Sequence, residues 1–316
     1  MIVALAGGVG AARMLSGLVS VVPPADVTAV VNTGDDAVMH GLHISPDLDT
    51  VTYTLAGMIN PATGWGLKGE TWSAMAELRA YSGDRLGWFN LGDQDLGTHL
   101  YRTTRLAEGA PLSQVTAEIA ARWELGVRIV PMSDDRVETR VVVADGTGAG
   151  REIGFQEYFV GARHSVPVRS IRLAGIEQAR PAPGVVEAIG AAATVLICPS
   201  NPVVSIGPVL AVPGLGAAVT ARRSRTVAVS PIVAGRALKG PADRMMSELG
   251  HEPSVAGVAR MWAPYAAALV IDEADRDRAA DVEAAGMRAV VGPTVMSSPA
   301  AAAHLARLAL DALAPA

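Results

Sequence analysis

Four aspartates stand close together near the start of the chain. Asp35 and Asp36 end the segment VVNTGDD, and Asp47 and Asp49 follow in ISPDLDTV. Magnesium takes oxygen ligands and usually binds one or two carboxylates together with substrate phosphates. Four acids exceed what one ribose hydroxyl needs, so the cluster predicts a magnesium site. For each aspartate alone the alternative is a structural role, and Asp49 is well placed to cap a helix starting at Thr50.

A glycine-rich turn precedes these acids. The segment LAGGVGAARML contains Gly7, Gly8, Gly10 and Arg13. A strand that runs into such a turn and opens a helix directs unpaired backbone N–H groups at an anion. Arg13 occupies the place of the third glycine of the dinucleotide fingerprint, so the match to that fingerprint is partial. The turn is predicted to bind a phosphate, and a tight turn without a ligand is the alternative.

Further polar side chains follow later strands or lie between helical segments. FNLGDQDLGTHLYR crowds polar groups and is predicted to be a loop that touches substrate. CPSNPVVSIGPVL and VSPIVAG place small hydroxyls and an amide after buried strands, where they can bind a phosphate or a base edge, although ordinary turn chemistry explains either loop alone. The candidate binding residues in these segments and at the end of the second strand are Asn32, Asn90, Asp93, Ser200, Asn201 and Ser230.

Short apolar runs alternate with alanine-rich segments of helical spacing. The runs are MIVALAGG, DVTAVVNTG, GVRIVPMSDD, ATVLICPSN, RTVAVSP, AALVIDE and MRAVVGPT. Strands without apolar and polar alternation, separated by helices, predict a doubly wound α/β fold with a mostly parallel, Rossmann-like sheet. Residues 136–175 alternate at period two around an Asp145–Gly146 turn and predict a β-hairpin insertion. The whole chain, 1–316, is predicted to be a single α/β domain.

Composition limits the class of protein. The 316 residues carry a net charge of −5, which leaves no basic footprint for nucleic acid or a membrane surface. No apolar run reaches eighteen residues, and we expect a cytoplasmic protein. The single cysteine, Cys198, excludes a disulfide framework. His40 and His43 lack the further ligands of a zinc site, and no nucleophile elbow or P-loop lysine is present.

Seven segments, in order and across nearly the whole chain, resemble those of one family. They are GGVGAARML, VVNTGDD, ISPDLDTV, LGDQDLGTH, PMSDD, PSNPVVSIGPVL and VSPIVAG. Together they resemble the 2-phospho-L-lactate transferase family of coenzyme F-420 biosynthesis. Only Lys68 and Lys239 among 26 basic residues are lysine, a bias typical of a high-GC genome. That bias favours the actinobacterial branch of the family, whose members are called phosphoenolpyruvate transferases.

The resemblance implies a reaction and its participants. The donor would be a guanosine diphosphate conjugate of enolpyruvyl phosphate or 2-phospholactate. The acceptor would be the hydroxyl of the deazaflavin alcohol Fo (7,8-didemethyl-8-hydroxy-5-deazariboflavin), and the products dehydro-F-420-0 or F-420-0 and GMP. The family also implies Mg²⁺, a homodimer, and a guanylyltransferase that hands over the donor. No residue distinguishes the two donors.

The resemblance also assigns roles to residues. Asp49 matches the aspartate that contacts Fo, and with Asp36 it is predicted to be catalytic. Asn90 stands where archaeal members carry a basic Fo contact, and Asp93 is predicted to bind Fo beside it. Arg13 replaces a lysine of archaeal members. The predicted magnesium ligands are Asp35, Asp36 and Asp49.

Two other readings remain at this point. A nicotinamide-dependent oxidoreductase would require a third glycine in place of Arg13, and the aspartates would have no function in it. A non-catalytic nucleotide-binding or regulatory relative would keep the nucleotide loops but has no need of the acidic segments.

Overall fold

The strands follow the apolar runs of the sequence. The computed structural model describes residues 1–144 and 150–313. Its strands are β1 (Ile2–Ala6), β2 (Val27–Val31), β3 (Ala37–Met39), β4 (Leu42–Ile44), β5 (Arg128–Pro131), β6 (Glu138–Val143), β7 (Arg151–Gly154), β8 (Val168–Ala174), β9 (Thr194–Ile197), β10 (Thr226–Val229), β11 (Ile232–Val233), β12 (Arg236–Ala237), β13 (Ala268–Ile271) and β14 (Arg288–Val291).

Seven of these strands form one sheet in the order β14-β13-β10-β9-β1-β2-β5. Every neighbouring pair is parallel. All seven predicted apolar runs are in this sheet, so the predicted doubly wound α/β fold is confirmed. Because alternate side chains of a strand point to opposite faces, Val3 and Leu5 of β1 enter one apolar cluster and Ile2 and Ala4 the other. Both faces of the sheet are therefore covered.

Helices pack on both faces of this sheet. They are α1 (Gly8–Val19), α2 (Pro46–Leu55), α3 (Ser73–Ser82), α4 (Asp84–Gly87), α5 (Asp93–Ala107), α6 (Leu112–Arg122), α7 (Val185–Ala191), α8 (Gly207–Ala211), α9 (Leu215–Ala221), α10 (Ala242–Glu248), α11 (Val255–Trp262), α12 (Ala279–Ala284) and α13 (Pro299–Asp311). Short 3₁₀ or π turns lie at 24–26, 157–161, 176–178, 202–206, 223–225 and 273–278.

The strand order reverses at β1. The chain adds β2 and β5 on one side of β1, and β9, β10, β13 and β14 on the other. In open α/β sheets, ligands bind in the crevice at such a switch point, outside the carboxyl ends of the strands. The switch point of this sheet lies between β1 and β9, which brings the glycine turn next to the loop that contains Ser200.

The β insertion forms a three-stranded antiparallel sheet in the order β7-β6-β8. The predicted hairpin is confirmed as β6 and β7, with β8 as an additional strand, whereas the predicted Asp145–Gly146 turn lies outside the described residues.

This small sheet is hydrogen-bonded to residues 32–36, which we call the acid loop. The backbone N–H of Thr139 donates to the Gly34 carbonyl oxygen at 2.7 Å, and Gln156 Nε2 donates to the Asp35 carbonyl oxygen at 3.1 Å. The insertion therefore holds the backbone of the acid loop.

Two local predictions are wrong. Helix α2 begins at Pro46 rather than Thr50, because proline suits the first helical turn, so Asp49 lies inside that turn and does not cap it. FNLGDQDLGTHLYR is mostly the start of helix α5 and not a loop. The Glu70 carboxylate satisfies the free N–H groups at that start, accepting from Gln94 and Asp95 at 2.8 Å each.

Within residues 1–144 and 150–313, no single helix is long and apolar enough to cross a membrane. One pair of helical segments, Pro202–Ala211 and Leu215–Ala221, meets the length and composition only in combination, and it is bent by 92°.

Candidate active site

The glycine turn between β1 and α1 is packed too tightly for larger residues. A Cβ atom at Gly7 would lie 2.7 Å from Ser205 Cβ and 2.8 Å from an Asp47 oxygen. A Cβ atom at Gly10 would overlap the carbonyl oxygen of Pro199. Glycine therefore lets the N-terminus of α1 approach the loop after β9. Free N–H groups at this helix end favour a negatively charged group.

Asp47 supplies a negatively charged group at this helix end. Its Oδ2 accepts a hydrogen bond from Asn32 Nδ2 at 2.9 Å, and the backbone N–H of Gly8 also donates to it. Burial raises the pKa of Asp47 to about 6, although these two hydrogen bonds oppose the rise. Asn32, a predicted nucleotide-binding residue, thus uses its amide to hold Asp47.

Asp35 and Asp36 are held beside Asp47 with part of their hydrogen-bonding capacity unused. Ser45 Oγ donates to Asp36 Oδ2 at 2.6 Å, whereas Asp35 Oδ1 and Asp36 Oδ1 are buried without a hydrogen-bond partner. Burial and the charges of Asp47 and Asp36 raise the pKa of Asp35, and burial raises the pKa of Asp36. Carboxylates in such an environment favour a bound proton or a cation.

A cleft of ≈ 200 Å³ opens on this acid pair. It lies between the acid loop with β3, the insertion sheet and Trp88. Thr139 Oγ1, on the insertion side, is a third buried polar atom without a partner. The side chains that line the cleft include Asp35, Asp36, Trp88, Arg136, Arg140 and Phe155.

Asp49 faces a different partner. Arg102 of α5 binds it through both terminal nitrogens: Nη1 donates to Oδ2 at 3.1 Å, and Nη2 donates to Oδ1. Both residues are buried. The described residues contain no group of three or more His, Cys, Asp or Glu side chains that could hold a metal. The three predicted magnesium ligands are thus not gathered as one set, because Asp49 is bound to Arg102.

The Asp49–Arg102 pair continues into a buried polar network between α2 and α5. Arg102 Nη1 lies 3.2 Å from His99 Nδ1, and His99 Nε2 lies 3.3 Å from Asp95 Oδ2. The hydroxyl of Tyr53 donates to Asp95 Oδ1 at 2.7 Å. Burial disfavours the charge on Asp95, but His99, Tyr53 and Arg102 outweigh it and lower the pKa of Asp95.

Sequence reasoning missed Arg102 and Tyr53. Asp95, His99 and Arg102 follow one another at i, i+4 and i+7, and Tyr53 lies four residues after Asp49. These spacings put each set on one helix face. The spacing that relates these residues is visible in the sequence, but it has this meaning only if the segment after Asn90 is predicted to be a helix.

The predicted Fo contacts near α5 are engaged in local bonds. Asn90 is exposed, and its Oδ1 accepts a hydrogen bond from Arg79 Nη2 at 2.7 Å. Asp93 accepts from Thr71 Oγ1 at 2.6 Å and from two backbone N–H groups at the start of α3. These hydrogen bonds lower the pKa of Asp93.

The predicted nucleotide-binding residues differ in whether their side chains are already hydrogen-bonded within the protein. Ser200 Oγ is buried without a partner beside the switch point. Asn201 Oδ1 caps the following π turn, accepting from Val203 N at 2.9 Å, and Ser230 Oγ is used inside its own turn by the backbone of Ile232. Arg13 is exposed on α1. Ser200 therefore has a hydroxyl that no protein group uses, and Arg13 has a solvent-exposed side chain.

Comparison with known proteins defines the family. The family model "2-phospho-L-lactate transferase CofD" matches residues 2–293. The chain belongs to the 2-phospho-L-lactate transferase family. The family resemblance of the seven sequence segments is thus confirmed, and the chain is a member of a transferase family of coenzyme F-420 biosynthesis.

Similar proteins of the family cover almost the whole chain. A phosphoenolpyruvate transferase of Streptomyces griseus is 48% identical over 98% of this chain and 97% of its own length. One from Mycolicibacterium smegmatis is 45% identical, covering 98% of both chains. A solved UPF0052 protein from Bacillus halodurans shares the fold, with a TM-score of 0.62, 16% identity and 98% coverage of both chains.

Proposed function

We propose that this protein moves the phosphoenolpyruvyl group, or the 2-phospholactyl group, from a guanosine diphosphate conjugate to the hydroxyl of Fo. The observation that carries the proposal is the pair Asp35 and Asp36, each of which has a buried oxygen without a hydrogen-bond partner. Both acids lie near Asp47, the carboxylate that accepts from the Gly8 N–H of the glycine turn. Relatives that are named phosphoenolpyruvate transferases favour the enolpyruvyl donor.

The acid pair fits magnesium. Two buried carboxylate oxygens lack partners, and burial raises the pKa of both groups, so a nearby cation would stabilise their charged forms. Two carboxylates with the donor phosphates match how Mg²⁺ is usually bound. Asp35 and Asp36 would hold the ion. Bound there, magnesium would neutralise charge that develops on the phosphate oxygens.

The reaction exchanges one phosphorus–oxygen bond for another. The Fo hydroxyl attacks the phosphorus that bears the enolpyruvyl group, the bond from this phosphorus to GMP breaks, and GMP leaves. Asp49 accepts the hydrogen bond of the attacking hydroxyl, and the proton that this hydroxyl loses is released to solvent. Arg102 uses one lone pair on each Asp49 oxygen and leaves others free, so Asp49 can do this while it is held in place. Positioning and charge neutralisation supply most of the catalysis in such transfers.

The nucleotide is assigned to the crevice between β1 and β9. The α1 N-terminus and Ser200 Oγ would contact its phosphates, and Arg13 would add a positive charge at the rim. The family further suggests a homodimer that receives the unstable donor from a guanylyltransferase.

The experiment is mass spectrometry of Fo after incubation with the protein, Mg²⁺ and each donor made in situ. A phosphoenolpyruvyl adduct, or a phospholactyl adduct two hydrogens heavier, identifies the activity and the donor. In Asp49→Asn the adduct rate should fall by about 10²-fold or more, with GDP affinity nearly unchanged. No adduct from either donor, with GDP or Fo still bound, would instead support a non-catalytic binding protein.

A further inference from the structure

The α2–α5 interface contains more charge than its packing requires. Asp49 and Tyr53 on α2 and Asp95, His99 and Arg102 on α5 form one polar network of hydrogen bonds and close charged contacts. Tyr53, His99 and Arg102 are almost completely buried. Apolar residues of similar volume usually hold two helices together at least as well as buried ion pairs do. The network therefore needs an explanation other than stability.

The donors and acceptors of the network can be assigned along a path from Tyr53 to Asp49. Arginine only donates hydrogen bonds, so the Nδ1 atom of His99 that faces Arg102 must accept, and the His99 proton is on Nε2. Nε2 lies 3.3 Å from Asp95 Oδ2, a close contact whose geometry is not that of a hydrogen bond. The Tyr53 hydroxyl donates to the other Asp95 oxygen. Hydrogen bonds thus join Tyr53 to Asp95, and join His99 through Arg102 to the two oxygens of Asp49, while the close contact between His99 and Asp95 connects these two parts.

We propose that Tyr53, Asp95, His99 and Arg102 are positioning residues that fix the Asp49 carboxylate for the acceptor hydroxyl. This inference rests on the proposed function. None of the four contacts substrate in the proposal, because they act through Asp49. Loss of the far end of the network therefore loosens Asp49 and slows the chemical step, without weakening the binding of the nucleotide.

The decisive variant is Tyr53→Phe, which removes one hydroxyl and keeps the buried ring. A matched control exists on the outer face of α5, where the Tyr101 hydroxyl donates to Glu118 at 2.7 Å, the same length as the Tyr53–Asp95 bond. We expect Tyr53→Phe to lower kcat about 5- to 50-fold, since misplacement of a catalytic group by 1 Å can cost about 10²-fold. Tyr101→Phe should leave kcat unchanged.

A second pair of variants tests the arginine fork. Arg102→Lys keeps the charge but cannot form two parallel bonds, whereas Arg105→Lys makes the same change at a surface arginine that pairs with Glu118. Arg102→Lys should lower kcat more than Tyr53→Phe does, and Arg105→Lys should have little effect. GDP-binding stoichiometry counts the folded sites, so a loss of folded protein is not mistaken for a loss of rate.

The measurements are kcat, KM for Fo and GDP affinity for all four variants. A lower kcat per GDP-binding site in Tyr53→Phe and Arg102→Lys, with both controls normal, supports the proposal. An unchanged kcat in Tyr53→Phe, or an equal loss in Tyr101→Phe, overturns it. A purely structural role would lower the number of GDP-binding sites and leave kcat per site unchanged.

A second readout separates this inference from the proposed function. Wild-type protein that yields no adduct refutes the function and not the network. The network is then judged by nitrogen-15 NMR of the Arg102 guanidinium, assigned with Arg102→Lys. Slow rotation of its terminal nitrogens in the wild type that becomes faster in Tyr53→Phe supports the ordering. Fast rotation in the wild type, or no change in the variant, overturns it.

Discussion

Asp47 is a carboxylate whose ionisation opposes folding. Its pKa is raised from 3.8 to about 6, so the folded protein binds its proton more tightly than the unfolded chain does. The stabilising contribution is complete below pH 4 and is lost as the pH rises through about 6. A shift of this size corresponds to about 3 kcal/mol of unfolding free energy.

Asp47→Asn should remove this pH dependence. We expect the unfolding free energy of the variant, relative to wild type, to rise by about 2–3 kcal/mol between pH 4 and pH 7 in magnesium-free buffer. Urea unfolding at each pH measures it. Asp26→Asn changes an exposed aspartate and is the control. Parallel curves for wild type and Asp47→Asn would contradict the assignment.

At the scale of elements, the start of α1 depends on Gly10. A methyl group there would press on the Pro199 carbonyl, which is backbone and cannot rotate away. We expect Gly10→Ala to lower the unfolding free energy by about 1–3 kcal/mol and to weaken GDP binding, because it separates the two loops of the switch point. Urea unfolding and a GDP titration measure the two effects.

Gly190 provides the matched control. It lies in helix α7, and beyond its chain neighbours and the backbone of its own helix no atom lies within 4 Å of the position of an added Cβ atom. Gly190→Ala should be neutral or stabilising by about 0.5–1 kcal/mol, since alanine favours a helix. If both alanine variants behaved alike, close packing at Gly10 would not be the reason for its glycine.

The sequence predicts the seven-stranded sheet better than it predicts helix starts. Buried parallel strands are nearly continuous apolar runs, such as IVALA in β1, so each strand can be predicted from its own residues. Helix α5 is polar, contains Gly97 and is capped by Glu70, which lies 24 residues before Gln94 in the chain. Because the capping residue comes from a distant segment, the residues around the helix start do not predict helix α5. The position of Arg102 on that helix is therefore not predicted either.

At the scale of the whole molecule, the acid loop is assembled from distant parts of the chain. The four aspartates are close in sequence, so their cluster could be predicted. Thr139 and Gln156 reach the same loop from the insertion, more than 100 residues later in the chain. Their contacts depend on how the two sheets pack against each other, and residue spacing in the sequence does not predict that packing. The Asp49–Arg102 pair is likewise a contact between two helices.

Gln156 tests whether the insertion supports the proposed metal site. Gln156→Met keeps the length of the side chain and removes its hydrogen bond to the Asp35 carbonyl oxygen. We expect the Mg²⁺ concentration for half-maximal rate to rise several-fold, because Asp35 becomes less well positioned. Gln114→Met removes a surface hydrogen bond to Glu118 and should change nothing. Equal magnesium dependence in Gln156→Met and wild type would show that the insertion only covers the loop.

The central position of β1 also affects how the chain can fold during synthesis. β1 is the first strand to be made, yet one of its two partners is β9, where Val3 pairs with Val195. At about 5–20 residues per second, a ribosome needs roughly 10–40 s to make the intervening segment. Until then one edge of this wholly apolar strand has no partner, so the nascent chain has a long interval in which a chaperone can bind or a neighbouring chain can mispair.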